Sequence, residues 1–138
     1  FANTMDNLSS LLDGPDLASL AGRFNGCPAV CVAAGPSLDK DLAALKTIGN
    51  RALIICGDSA VRSLVEAGIR PHIVVTTDMN PINFEKMRTS LHHLDEAVLV
   101  FSIESNPDNV GSFSGRRKIA VTAHNAVLNN WLIRTYKL

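Results

Sequence analysis

Four short runs of nearly unbroken apolar residues, at 29–33, 52–56, 72–76 and 97–101, constrain this chain more than any other feature. A strand with one wet face alternates apolar and polar residues, and these runs do not alternate, so each belongs in a sheet covered on both faces. Amphipathic stretches lie between them. Leu38, Leu42, Leu45 and Ile48 fall on one helical stripe that ends at Gly49-Asn50, and residues 60–67 form a second helix closed by Gly68. A third helix is expected over 84–93, a short fifth strand over 118–121 and an amphipathic stretch over 126–136. Strands that alternate with helices give an α/β fold of the Rossmann-like kind, a mostly parallel sheet with helices on both faces. Val30, Val32, Leu53, Ile55, Ile73 and Val75 are its expected core.

Before the first strand, residues 5–12 and 16–23 read as short helices broken at Asp13-Gly14-Pro15. The chain therefore divides into a helical lead-in, 1–25, and a nucleotide-binding-type domain, 26–138. Its 138 residues suffice for one core, and 46% hydrophobic against 19% charged residues marks a globular chain. Thirteen basic and thirteen acidic residues balance, which removes the electrostatic case for nucleic acid or an anionic membrane as partner. No apolar run reaches the roughly 20 residues of a membrane helix, and no signal peptide is visible, so a cytoplasmic setting is expected. Three cysteines without Cys-x-x-Cys or Cys/His spacing speak against a disulfide framework and a zinc site. Cys31 and Cys56 read as small core hydrophobes, and Cys27 lies in a loop.

Right-handed crossovers bring all strand exits to one edge of a parallel sheet. Three polar exits follow apolar strands here: Gly35-Pro36-Ser37, Gly57-Asp58-Ser59 and Thr76-Thr77-Asp78. Together they offer backbone amides for a phosphate, and hydroxyls and carboxylates for a ribose, a base or a metal. Gly35, Pro36, Ser37, Asp58, Ser59, Thr77 and Asp78 are the candidate binding residues. Read singly, Ser37 and Ser59 are helix caps and the glycines are tight turns; three such exits in register favour a site. No Gly-x-Gly-x-x-Gly and no Walker-type loop is present, so neither a dinucleotide enzyme nor a P-loop NTPase is supported. Asp39 and Asp41 in the first helical turn suit the helix dipole and set any phosphate off the helix axis. His72, His92, His93 and His124 read as structural, Arg116-Arg117-Lys118 as a solvated edge, and Trp131 and Tyr136 as packing residues. No catalytic base and no metal ligand set can be named from the residues.

The stretch Arg23-Phe24-Asn25-Gly26-Cys27-Pro28-Ala29-Val30, running into Gly35-Pro36-Ser37-Leu38-Asp39-Lys40, resembles bacterial motility accessory factor proteins. So do residues 52–59, Leu64-Val65-Glu66-Ala67-Gly68-Ile69-Arg70-Pro71 and the Asp78 loop, in that order and spacing. The wider group includes archaeal hydroxymethylpterin diphosphokinase (MptE-like) enzymes. The resemblance implies a sialyltransferase-like Rossmann fold with the nucleotide at the Gly35-Pro36-Ser37 turn, Asp58 and Ser59 at the second exit and Asp78 at the third. In one branch a nonulosonic sugar passes from a CMP-sugar donor to flagellin, with no cofactor firmly implied. In the other, diphosphate passes from ATP, with Mg²⁺ at Asp58 and Asp78. A scaffold domain with a vestigial pocket is the non-enzymatic alternative. Two departures stand out: His72 follows Pro71 where an acidic residue is common, and Met79-Asn80 separate Asp78 from Pro81. The resemblance also implies further sequence after Leu138, so this segment is expected to fold but to hold only part of a transferase site, and to be inactive alone.

Overall fold

A computed structural model describes residues 2–15, 17–80, 87–115, 117–121 and 134–135. Five strands form one parallel sheet in the order β1-β2-β3-β4-β5: β1 Ala29–Val32, β2 Leu53–Gly57, β3 Ile73–Thr76, β4 Val98–Ser102 and β5 Arg117–Val121. The α/β, Rossmann-like reading therefore holds, and the sheet is parallel throughout. Helix α1 (Ala2–Asp6), α2 (Leu8–Asp13) and a 3₁₀ turn (Leu17–Leu20) lead in. Helix α3 (Pro36–Ile48) joins β1 to β2, α4 (Asp58–Glu66) joins β2 to β3, and α5 (Pro107–Ser112) joins β4 to β5.

A strand order that advances steadily, with crossovers of one hand, stacks the connecting helices on one face. The larger core lies there. Val32 of β1, Ile54 and Cys56 of β2, Val74 of β3, and Leu99 and Phe101 of β4 pack with Leu38, Leu45, Val61, Leu64 and Val110 from the helices. The opposite face holds a smaller cluster of Ile73, Val100 and Ile119, with Leu20 of the 3₁₀ turn against it. The cover is uneven. Val32 and Ile73 are buried as expected, but Val30, Leu53, Ile55 and Val75 are half-buried. Cys31, expected in the core, is exposed, because β1 is an edge strand and Cys31 points to the thinly covered face. Cys56, on the helix-covered face, is buried.

The lead-in is tied to the sheet by side-chain amides. Asn7 is buried and donates from Nδ2 to the carbonyls of Ile103 and Ser105 at 3.1 and 2.8 Å. Asn3 donates to the carbonyls of Met79 and Glu104. These bonds place α1 at the carboxyl edge, over the exits of β3 and β4. The expected third helix falls partly on 84–86, outside the described residues; a 3₁₀ turn at Leu91–His93 occupies its end. Most of the stretch at 126–136 also lies outside them, with His124, Trp131 and Tyr136. Lys118 is not a simply solvated lysine: it is half-buried, donates to the Gly111 carbonyl, and burial lowers its pKa.

Candidate functional site

The register Val32↔Cys56 and Gly57↔Val75 carries the exits of β1, β2 and β3 to one edge of the sheet. Gly57, Asp58, Ser59, Val75, Thr77, Asp78 and Met79 line a crevice of about 610 Å³ there. The second and third exits are thus brought together, and Asp58, Ser59, Thr77 and Asp78 share one surface. The first exit stands beside them and does not line that crevice. Ser37 lines a smaller depression of about 150 Å³ with Val30, Cys31, Val32 and Asp41, while Gly35 and Pro36 line neither. The physical reason is directional. Helix α3 starts over the helix-covered face, whereas Gly57 and Val75 point to the other.

The start of α3 is open. Gly35 is the residue before the helix and Pro36 its first residue, so the expected cap at Ser37 does not form; Ser37 lies inside the first turn. No side chain caps this end. The first turn of a helix leaves amide donors unused, and the dipole adds positive potential. Pro36 has no N–H, the Leu38 amide turns back to the Gly35 carbonyl at 3.0 Å, and the Ser37 amide and hydroxyl have no partner among the described residues. Gly35 is extended, with φ 167°, a conformation open to any residue. A Cβ there would meet nothing within 4 Å. Neither strain nor packing requires a glycine here.

The residue before α4, Gly57, has no side-chain cap either, but the helix's first residue, Asp58, takes up one of the first-turn amides. Asp58 Oδ2 accepts from the Thr76 hydroxyl at 2.6 Å, and Oδ1 accepts from the Ser59 amide at 2.6 Å. Thr76 is almost fully buried, which anchors the carboxylate across β2 and β3. Beneath it, burial first and the Asp58 charge second push the Cys56 thiol up to about 12. That thiol stays protonated at neutral pH and is no nucleophile. Asp78 is held by a second set of bonds. Its Oδ1 accepts from the Asn80 amide at 2.8 Å, and its carbonyl accepts from the Asn106 amide at 2.9 Å. Ser105 donates its hydroxyl to the Thr76 carbonyl at 3.1 Å.

The polar stretch 102–109 supports the third exit. Asn106 caps α5, its side chain accepting from the amides of Asp108 and Asn109, and Pro107 follows at the first helical position. The signal was present in Asn106-Pro107-Asp108, a helix-start pattern, but the helix is only six residues long and has no apolar stripe to reveal it. Asn3 and Asn7, whose partners lie about a hundred residues away, carry no local signal at all.

Among the described residues no group of three or more His, Cys, Asp and Glu side chains is placed to hold a metal, and no helix is long and apolar enough to cross a membrane. No curated protein matches the chain. Among solved structures it is similar to a Maf glycosyltransferase from Magnetospirillum magneticum AMB-1, with a TM-score of 0.62 and 21% identity. That likeness, which concerns the fold, covers 72% of this chain and 16% of the other, so the chain spans about a sixth of the protein it resembles. The family model for 6-hydroxymethylpterin diphosphokinase MptE-like proteins matches residues 2–137. With nearly every residue inside that match, the chain belongs to the 6-hydroxymethylpterin diphosphokinase MptE-like family.

Proposed function

We propose that this chain is the nucleotide-binding part of a nucleotide-dependent transferase, with a CMP-activated sugar as donor. One observation carries the reading: an open helix start at Ser37 stands beside a crevice that holds two carboxylates, Asp58 and Asp78. A nucleotide has both complements. Its phosphate suits free amides at a positive helix end, and its ribose hydroxyls suit carboxylate acceptors. Asp39 follows close behind and holds the phosphate toward the turn at Gly35, not on the helix axis. Because the Ser59 amide is already taken by Asp58, α4 is the poorer anion site and α3 the better.

In the transfer, an acceptor hydroxyl attacks the anomeric carbon, the bond to the phosphate oxygen breaks, and CMP leaves. The Ser37 amide and hydroxyl would stabilise the charge that develops on the departing phosphate. The acceptor hydroxyl gives up its proton to a general base as it attacks. The nonulosonic sugar and a flagellin acceptor are the finer reading, and they rest on the resemblance to motility accessory factors alone. A soluble cytoplasmic setting follows from the same reading.

A second reading follows the family model's own description, a pterin diphosphokinase acting with ATP. Asp58 and Asp78 share one crevice, and an ionised carboxylate offers acceptor sites on both oxygens. They fit a Mg²⁺ that retains several waters, which would neutralise the charge of a triphosphate. Calorimetric titration separates the two. CMP binding without metal, in the high-micromolar range or weaker for so small a part of a site, supports the sugar-nucleotide reading. ATP binding that needs Mg²⁺ and disappears in Asp78→Asn would replace it with the diphosphokinase. Binding of neither would leave a scaffold domain.

A further inference from the structure

At the opposite, amino edge of the sheet lies a second cavity, of about 230 Å³, lined by Lys46, Gly49, Asn50, Gly68, Arg70 and His72 among others. It is lined by two basic side chains and no carboxylate, in a chain whose formal net charge is zero. Basic side chains near helix C-termini ordinarily serve the terminal carbonyls. Here those carbonyls have other partners. Arg51 caps the end of α3, donating from Nη2 to the Thr47 carbonyl at 2.6 Å and from Nε to the Ile48 carbonyl at 3.2 Å. The end of α4 is closed by backbone: the Gly68 amide donates to the Val65 carbonyl and the Ile69 amide to the Leu64 carbonyl, at 2.9 and 2.8 Å. Gly68 makes that closure with φ +75°. Lys46 and Arg70 are therefore not needed as caps, and neither has an ion-pair partner among the described residues.

His72 adds a directed donor. The Ile54 amide donates to its Nδ1 at 3.0 Å, while the His72 amide donates to the Ile54 carbonyl at 2.9 Å. A ring nitrogen that accepts carries no proton, so the ring proton sits on Nε2, and the ring is held in place beside the cavity. Two unpaired cations and a fixed N–H around one hollow are the donor set of an oxyanion site. The space equals roughly eight water volumes, enough for a phosphate or diphosphate group.

We propose that the cavity between Lys46, Arg70 and His72 binds the phosphate group of a small molecule, at a site separate from the crevice of Asp58 and Asp78. The shared chemistry is a diphosphate, free or as the tail of a nucleoside diphosphate. The test is a titration of the ¹⁵N-labelled chain with pyrophosphate, and separately with a nucleoside diphosphate, followed by amide shifts. Saturable shifts at Ile54, Gly68 and His72, weakened at least tenfold in Lys46→Ala/Arg70→Ala, support the site. Both side chains are exposed, so the double variant is expected to keep its circular dichroism, and Arg70→Lys is expected to keep most of the binding. If pyrophosphate alone saturates, the ligand is a free diphosphate; if the nucleoside diphosphate shifts the same amides more tightly, it is a nucleotide tail. No saturation at about ten millimolar of either ligand, equal affinity in the double variant, or shifts confined to Ser37, Ser59 and Asp78 would overturn the proposal.

Discussion

The first exit of the sheet and its two neighbours leave at the same edge, yet their polar side chains are held differently. At the first, the Ser37 amide and hydroxyl have no partner among the described residues. At the second and third, Asp58, Thr76, Ser105, Asn106 and Asp78 are linked by hydrogen bonds that run from the start of α4 to the loop after β4. An unpaired donor at a helix start is a cost the fold bears unless water or a ligand meets it. A bonded carboxylate is already stable, and it can still accept from a ligand hydroxyl. On the proposed reading, phosphate goes to the open exit and hydroxyl groups to the tied one.

The largest effect is expected where that contrast is sharpest. Gly35→Val should weaken nucleotide binding about 100-fold or more, since its side chain fills the space the phosphate needs. The melting temperature should stay within a few degrees of the parent, because a Cβ at Gly35 meets nothing within 4 Å. Unchanged affinity, measured by calorimetry, would mean the first exit is a turn and no more.

Thr76→Val should give the reverse pattern. It keeps the shape and removes the hydroxyl that holds Asp58, so stability in urea should fall by about 1.5–3 kcal/mol. Nucleotide affinity should change less than in Gly35→Val. A larger loss of binding than of stability would show that the tied exit, not the open one, carries the ligand.

Smaller effects separate a real cap from an expected one. Asn106→Ala removes two hydrogen bonds at the start of α5 and should cost about 1 kcal/mol. Ser37→Ala removes none and should cost less than about 0.5 kcal/mol, while weakening nucleotide binding. Equal destabilisation in denaturant melts would show that Ser37 caps its helix after all.

What the sequence made legible follows the range of each interaction. Apolar runs at 29–33, 52–56, 72–76 and 97–101 announced strands because burial acts on every residue of a strand. The parallel arrangement and the shared exit edge followed from the alternation alone. The unequal faces did not, because they depend on strand order, and no residue encodes that β1 lies at an edge. For the same reason Cys31 was misplaced, while Cys56, on the covered face of the neighbouring strand β2, was read correctly. The residues of the candidate crevice were readable as strand exits. Their support by Asn3, Asn7 and Ser105 was not, since those bonds join residues 29 to 101 positions apart.

The most direct test of the account is a nucleotide titration followed by amide shifts in the ¹⁵N-labelled chain, with CMP as the probe. The account requires the largest shifts at Ser37 and Leu38, a second set at Thr77 and Asp78, and loss of both in Gly35→Val. Shifts that leave the Ser37 amide untouched, or that survive Gly35→Val undiminished, would contradict the assignment of phosphate to the open helix start.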